Sequence, residues 1–137
     1  MAKVKKGSNA PFPGGSKSIS YIGDRVYAFS GTYDASTNQQ TVLDFDTSEG
    51  YINAIWNLTQ FVREDSVGST ESTVATISFN GIIIYQVMVG SSAVDSPTSQ
   101  TVEMIIPPLT KVSVTLRSGT TAATRQATVL MIGRVYE

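Results

Sequence analysis

Between Arg25 and Tyr136 this chain is a succession of short aromatic and β-branched runs, several with apolar residues at every second position, and no segment carries the i, i+3, i+4 spacing of a convincing amphipathic helix. Such a pattern restricts the chain to strands whose successive side chains point to opposite faces. Val26, Ala28 and Ser30 alternate with Tyr27, Phe29 and Gly31 up to Tyr33, which reads as a first strand. The cluster Asp34-Ala35-Ser36-Thr37-Asn38 is a turn, and beyond it Val42, Asp44 and Asp46 oppose Leu43, Phe45 and Thr47 in a second strand closed by Ser48-Glu49-Gly50. Tyr51 to Arg63 holds Trp56 and Leu58 on one side; its spacing fits either a long bent strand or a helical turn leading into a strand.

The strongest local signal is Asn80-Gly81, a two-residue hairpin turn between Thr73–Phe79 and Ile82–Val89. The second arm of that hairpin is apolar on both faces, which predicts a strand in the middle of a sheet. At an edge it would invite aggregation, so it demands cover from the N-terminal segment, another subunit or its own sandwich partner. Thr101–Ile106 is a strand stopped by Pro107-Pro108. Lys111 to Arg117 alternates without a fault, placing Val112, Val114 and Leu116 on a core face. Thr124 to Tyr136 forms the last strand, apolar on both sides from Val129 to Ile132. About eight strands with short turns predict an all-β fold, a two-sheet antiparallel β-sandwich of single jelly-roll type, with the seven-stranded immunoglobulin sandwich as the main competitor.

Ahead of this body lies a segment of different composition. Residues 1–18 contain Lys3, Lys5, Lys6 and Lys17, no acidic residue, and the Pro/Gly-rich run Pro11-Phe12-Pro13-Gly14-Gly15. With no periodicity and two prolines, this stretch predicts an extended arm, and residues 19–137 the β-domain. The arm carries +4, whereas the body has six basic against eleven acidic residues, net −5. An extended arm of this length reaches up to roughly 60 Å, enough to cross a neighbouring subunit. Lys3, Lys5, Lys6, Lys17 and the proline-flanked Phe12 are therefore the candidate partner-binding residues. The negative body argues against nucleic acid as the target and for an acidic protein surface.

The residue inventory is poor in reactive groups. With no histidine and no cysteine, there are no disulfides, thiolate metal sites or thiol nucleophiles, and the cellular redox compartment cannot be read from cysteine usage. Asp44 and Asp46, two apart with Glu49 behind them, are the one carboxylate grouping that invites a glycosidase or calcium reading; they lack the multi-ligand loop that calcium uses, so a solvated strand face is the simpler account. No phosphate-binding loop is present. The N-terminal lysines are not followed by the apolar stretch of a cleaved leader, and the longest apolar run is too short to span a membrane as a helix. Asn57-Leu58-Thr59 consequently has no secretory context as a glycan site. These features predict no enzymatic activity, no cofactor, no metal, no membrane and no small-molecule substrate.

The basic arm, the Ser/Thr-rich body, the segment Ile105-Ile106-Pro107-Pro108-Leu109-Thr110-Lys111-Val112-Ser113-Val114-Thr115-Leu116 and the closing Ala127-Thr128-Val129-Leu130-Met131-Ile132-Gly133-Arg134-Val135-Tyr136 resemble small single-jelly-roll structural proteins of double-stranded DNA phages and viruses. The resemblance spans residues 25–137 and carries over no functional residue. It implies a capsid decoration or cement protein that binds the major capsid protein, with a penton-like or minor capsid protein as alternative, homo-oligomeric, made in the host cytoplasm and located in the virion. A different class, a carbohydrate- or receptor-binding fibre tip, would use the loops 64–72, 90–99 and 118–123 and aromatic residues such as Tyr21, Tyr27, Tyr33, Tyr51 and Trp56. Aromatics that alternate along strands more often belong to the core.

Overall fold

The computed structural model describes residues 17–34, 37–62, 71–91, 98–118 and 125–137, and these form ten strands. In chain order they are β1 (Ser20–Ile22), β2 (Arg25–Phe29), β3 (Tyr33–Asp34), β4 (Gln40–Asp46), β5 (Tyr51–Val62), β6 (Glu71–Phe79), β7 (Ile82–Ser91), β8 (Thr98–Ile106), β9 (Lys111–Ser118) and β10 (Arg125–Tyr136). One sheet runs β1-β2-β10-β5-β8, with β3 also on β10; the other runs β4-β9-β6-β7. Every pairing is antiparallel.

The pairing partners are nested. β6 pairs with β7, β5 with β8, β4 with β9 and β2 with β10, as though one long hairpin had been rolled into two sheets. That connectivity is the jelly roll. Its eight principal strands match the expectation, and the short strands β1 and β3 bring the total to ten.

Two sequence expectations change. The first strand is interrupted: β2 ends at Phe29 and β3 begins at Tyr33, because Ser30 still donates its N–H to the Val129 carbonyl at 2.9 Å but accepts in return through its side chain. Its Oγ accepts the Val129 N–H at 2.9 Å and donates to the Gly31 carbonyl at 2.7 Å, so the broken ladder leaves Val129 satisfied. The second change is larger. β7, expected in the middle of a sheet, lies at its edge. The Asn80-Gly81 turn itself behaves as expected, with φ of 52° and 82°, and the long Tyr51 segment is a single strand throughout.

The core fills the space between the sheets. Val26, Ile52, Trp56, Leu58, Val129 and Met131 come from one side and Leu43, Phe45, Ala75, Ile77, Val112, Val114 and Leu116 from the other, all buried. In β4 a bulge between Thr41 and Leu43 turns two consecutive residues, Val42 and Leu43, inward while Asp44 and Asp46 stay outside. Gly133 lies where a Cβ would sit 2.6 Å from Ile52 and 2.9 Å from Val26, so the sheet closes only because that side chain is missing. Farther along, Thr73 on β6 donates a hydrogen bond across the sandwich to the buried Gln60 of β5.

The β8–β9 turn is tied down by Thr47. The Thr47 Oγ1 donates to the Pro107 carbonyl at 2.9 Å and accepts the Thr110 N–H at 2.8 Å, while the Leu109 N–H donates to the Ser48 carbonyl at 2.9 Å. Between these anchors Leu109 is held at φ 52°, a left-handed conformation that costs a residue with a Cβ roughly 1–2 kcal/mol, and its side chain is 74% exposed.

Candidate functional site

A sandwich hides one face of each sheet and leaves the other outside, so the composition of the outer faces decides what the molecule can touch. On the six-stranded sheet Tyr27 stands directly opposite Ile132, and Ile132 directly opposite Ile55. The next row adds Phe29 opposite Leu130. Four of these five side chains are exposed, and Leu130 is half-buried. The result is an aromatic and aliphatic strip crossing β2, β10 and β5, with exposed Ile105 on the neighbouring β8.

Both margins of the strip are polar. On one side Asn57 donates to Thr101 Oγ1 at 3.3 Å, Thr59 donates to Asn57 Oδ1 at 2.7 Å, and the Thr59 and Ser99 hydroxyls lie 2.9 Å apart. On the other, Arg134 Nε donates to Asp24 Oδ2 at 2.9 Å and the guanidinium lies 5.4 Å from the centre of the Tyr136 ring. Tyr136 in turn stacks on Tyr51 at 5.2 Å. The exposed ion pair contributes little to stability, but together with the ring it holds a planar donor and two flat aromatic faces in fixed positions. An apolar centre rimmed by Tyr and Arg is the composition enriched at protein–protein contacts.

The outer face of the four-stranded sheet is made differently. Asp44, Asp46, Lys111, Ser113, Thr115, Arg117, Ser78 and Thr76, with one aliphatic residue, Val74, occupy its outward positions on β4, β9 and β6. Their groups bond to one another: Gln39 donates to Thr115 Oγ1 at 2.8 Å, Gln86 to Thr76 Oγ1 at 3.0 Å, and Lys111 lies 3.9 Å from Asp44. Asp44 and Asp46 are thus an exposed strand face, and among the described residues no group of three or more His, Cys, Asp or Glu is placed to hold a metal. No helix among them is long and apolar enough to cross a membrane.

Of the residues singled out from the arm, Lys3, Lys5, Lys6 and Phe12 lie outside the described residues. Lys17 is exposed, and its carbonyl accepts the Asp44 N–H at 2.8 Å, so the chain enters the domain along the free edge of β4 before Ile19 is buried. The aromatics divide. Trp56 and Tyr21 are core residues and unavailable to a sugar, Tyr33 is half-buried, and Tyr27 and Tyr51 are on the outer face. The loops considered for receptor contact fall, apart from their ends, outside the described residues. The outward strip was not singled out from the sequence. Its signal was present in the doubly apolar stretches Val26–Phe29, Ala54–Trp56 and Val129–Ile132, where both alternating sets are apolar.

No family model and no curated protein matches this chain. Its fold is similar to solved chains of a virus particle. One is in the structure of infectious bursal disease virus, Gx strain, with a TM-score of 0.52, 13% identity, and 80% of this chain aligned to 32% of that one. Another is in the crystal structure of the infectious bursal disease virus VP2 subviral particle, with a TM-score of 0.50, 11% identity, and 81% of this chain aligned to 32% of that one. The chain therefore spans about a third of the length of the solved chains it matches. At such identity the likeness is one of fold, a jelly roll like that of a viral particle protein.

Proposed function

We propose that this chain is a non-enzymatic structural protein of a virus particle, a decoration or cement protein that seats the outer face of its six-stranded sheet on the capsid shell and reaches along it with residues 1–18. The observation that carries this reading is the exposed row Tyr27–Ile132–Ile55 at the centre of its sheet, on a jelly roll whose other outer face is polar and hydroxyl-coated over β4 and β9. A contiguous apolar strip with a polar rim is a surface that a soluble domain conceals against a partner. The fold likeness to a viral particle protein supports the choice of a capsid partner, the major capsid protein, and hence the virion as location.

Co-sedimentation with particles of the virus that encodes the chain tests this reading. Wild type is expected to pellet with the particles at a fixed copy number. Ile132→Lys combined with Ile55→Lys is expected to weaken attachment at least about tenfold, since each change places a charge in the centre of a desolvated contact. A variant lacking residues 1–16 is expected to stay folded and attach more weakly. Attachment unchanged in the double lysine variant would remove the sheet face from the proposal.

A further inference from the structure

Apart from the two-residue β3, the two open sheets have four edge strands, and three of them carry devices that discourage pairing. β1 is three residues long. β4 bears Asp44 and Asp46 and has Lys17 bonded along it. β8 bears Glu103 and runs into Pro107-Pro108. Short strands, charges and prolines are the usual means of blunting an edge.

β7 is the exception. Ile82-Ile83-Ile84-Tyr85-Gln86-Val87-Met88-Val89-Gly90-Ser91 contains neither charge nor proline, and its blunting is limited to a bulge near one end, at Ile84. Ile82, Ile83, Ile84 and Met88 are each about half exposed or more, and β7 ends its sheet among the described residues. Its neighbour β6 has Val74, Thr76 and Ser78 on the same outer face, so the uncharged strip is two strands wide.

We propose that β7 is a self-pairing edge, which joins antiparallel to β7 of a second copy of this chain and fuses their four-stranded sheets into one. A two-fold contact needs only one kind of surface, and an edge strand is complementary to its own antiparallel copy because donors and acceptors alternate along it. Charge favours this occupant. The domain carries net −5 over residues 19–137, so copies repel at most approaches, but along β7 no like charges meet. Size fits as well. A ten-residue edge is about 33 Å long, and with β8 beside it the flank is about 20 Å deep; on the order of 700 Å² per copy is near the ~800 Å² per partner of stable interfaces. For the outer face of one copy to continue into that of the other, the two-fold must pass through a residue opposite itself, and with the bulge at Ile84 that residue lies within Gln86–Met88. The inference does not depend on the partner proposed for the other sheet.

Light scattering coupled to size exclusion, run over a range of concentrations, tests it on the purified full chain. Wild type is expected to have the mass of a dimer or a multiple of it, and Ile83→Lys with Met88→Lys the mass of half that assembly, with an unchanged circular dichroism spectrum. Because the chain has no cysteine, single variants Gln86→Cys, Val87→Cys and Met88→Cys report the seam directly. One of them is expected to form a disulfide-linked dimer on mild oxidation, since facing Cα atoms in an antiparallel ladder lie within disulfide range. A wild type that remains monomeric, or a dimer that none of the three cysteines captures, overturns the proposal. Loss of the dimer on removing residues 1–16 also overturns it, by making the arm the occupant of the edge. None of these measurements involves virus particles, so their failure is separable from failure of capsid attachment.

Discussion

The two outer faces of this sandwich were built under the same rule of alternation and reached opposite compositions. On β4 and β9 the outward positions are chiefly Ser, Thr, Asp, Lys and Arg, tied by contacts such as Gln39 to Thr115 and Lys111 to Asp44. On β2, β10 and β5 they are Tyr, Phe, Ile and Leu at the centre. A strand paired on both sides has no spare backbone groups, so its outward side chains are free to vary without affecting the ladder. What they become is then governed by what they meet. The hydroxyl face meets water, and the apolar face is suited to a partner.

Two adjacent residues of β5 point to opposite faces of its sheet and separate core from surface. Trp56→Ala, on the inner side, is expected to lose about 3–5 kcal/mol of stability in urea unfolding, because a fully buried indole leaves a cavity. Ile55→Ala, one residue away on the outer face, is expected to change stability by less than about 0.5 kcal/mol. Equal losses would mean that the apolar strip is part of the core. Next in size, Gly133→Ala is expected to cost about 1–3 kcal/mol through overpacking against Ile52 and Val26, while the strip beside it keeps its residues unchanged. Thermal unfolding with no shift would show that the Ile52 and Val26 side chains can swing aside within their sheet. The smallest effect has the opposite sign. Leu109→Gly is expected to gain about 0.5–1 kcal/mol, since glycine adopts positive φ without the Cβ clash and the lost side chain was solvent-exposed. A destabilised variant would show that Leu109 contributes packing its exposure conceals.

Much of this was legible from the alternation. Val112, Val114 and Leu116 face inward as their spacing requires, and Asn80-Gly81 forms the tight turn its residue types favour. The closing Gly133-Arg134-Val135-Tyr136 acquires a physical reason for each member: close packing at the glycine, an ion pair and ring contact at the arginine, burial at the valine, stacking at the tyrosine. The position of β7 was not legible. A strand apolar on both faces reads as central, and only the nesting of partners places it at an edge. β1 was missed because three residues give too short a pattern, and the bulge in β4 because two adjacent inward residues break the period that identifies a strand. The apolar face escaped notice for a related reason. Periodicity says which residues share a side, but not which side is covered.

Nesting also orders the events by which the chain can reach this state. The β6–β7 hairpin closes over two turn residues, and each successive pair, β5–β8, β4–β9 and β2–β10, spans a longer stretch of chain than the one inside it. Loop-closure entropy therefore favours zipping from Asn80-Gly81 outward, with β2 docking only after β10 has been synthesised. During translation the β6–β7 hairpin, whose one charged residue is Glu71, is thus formed and exposed before β9 emerges to join it to β4.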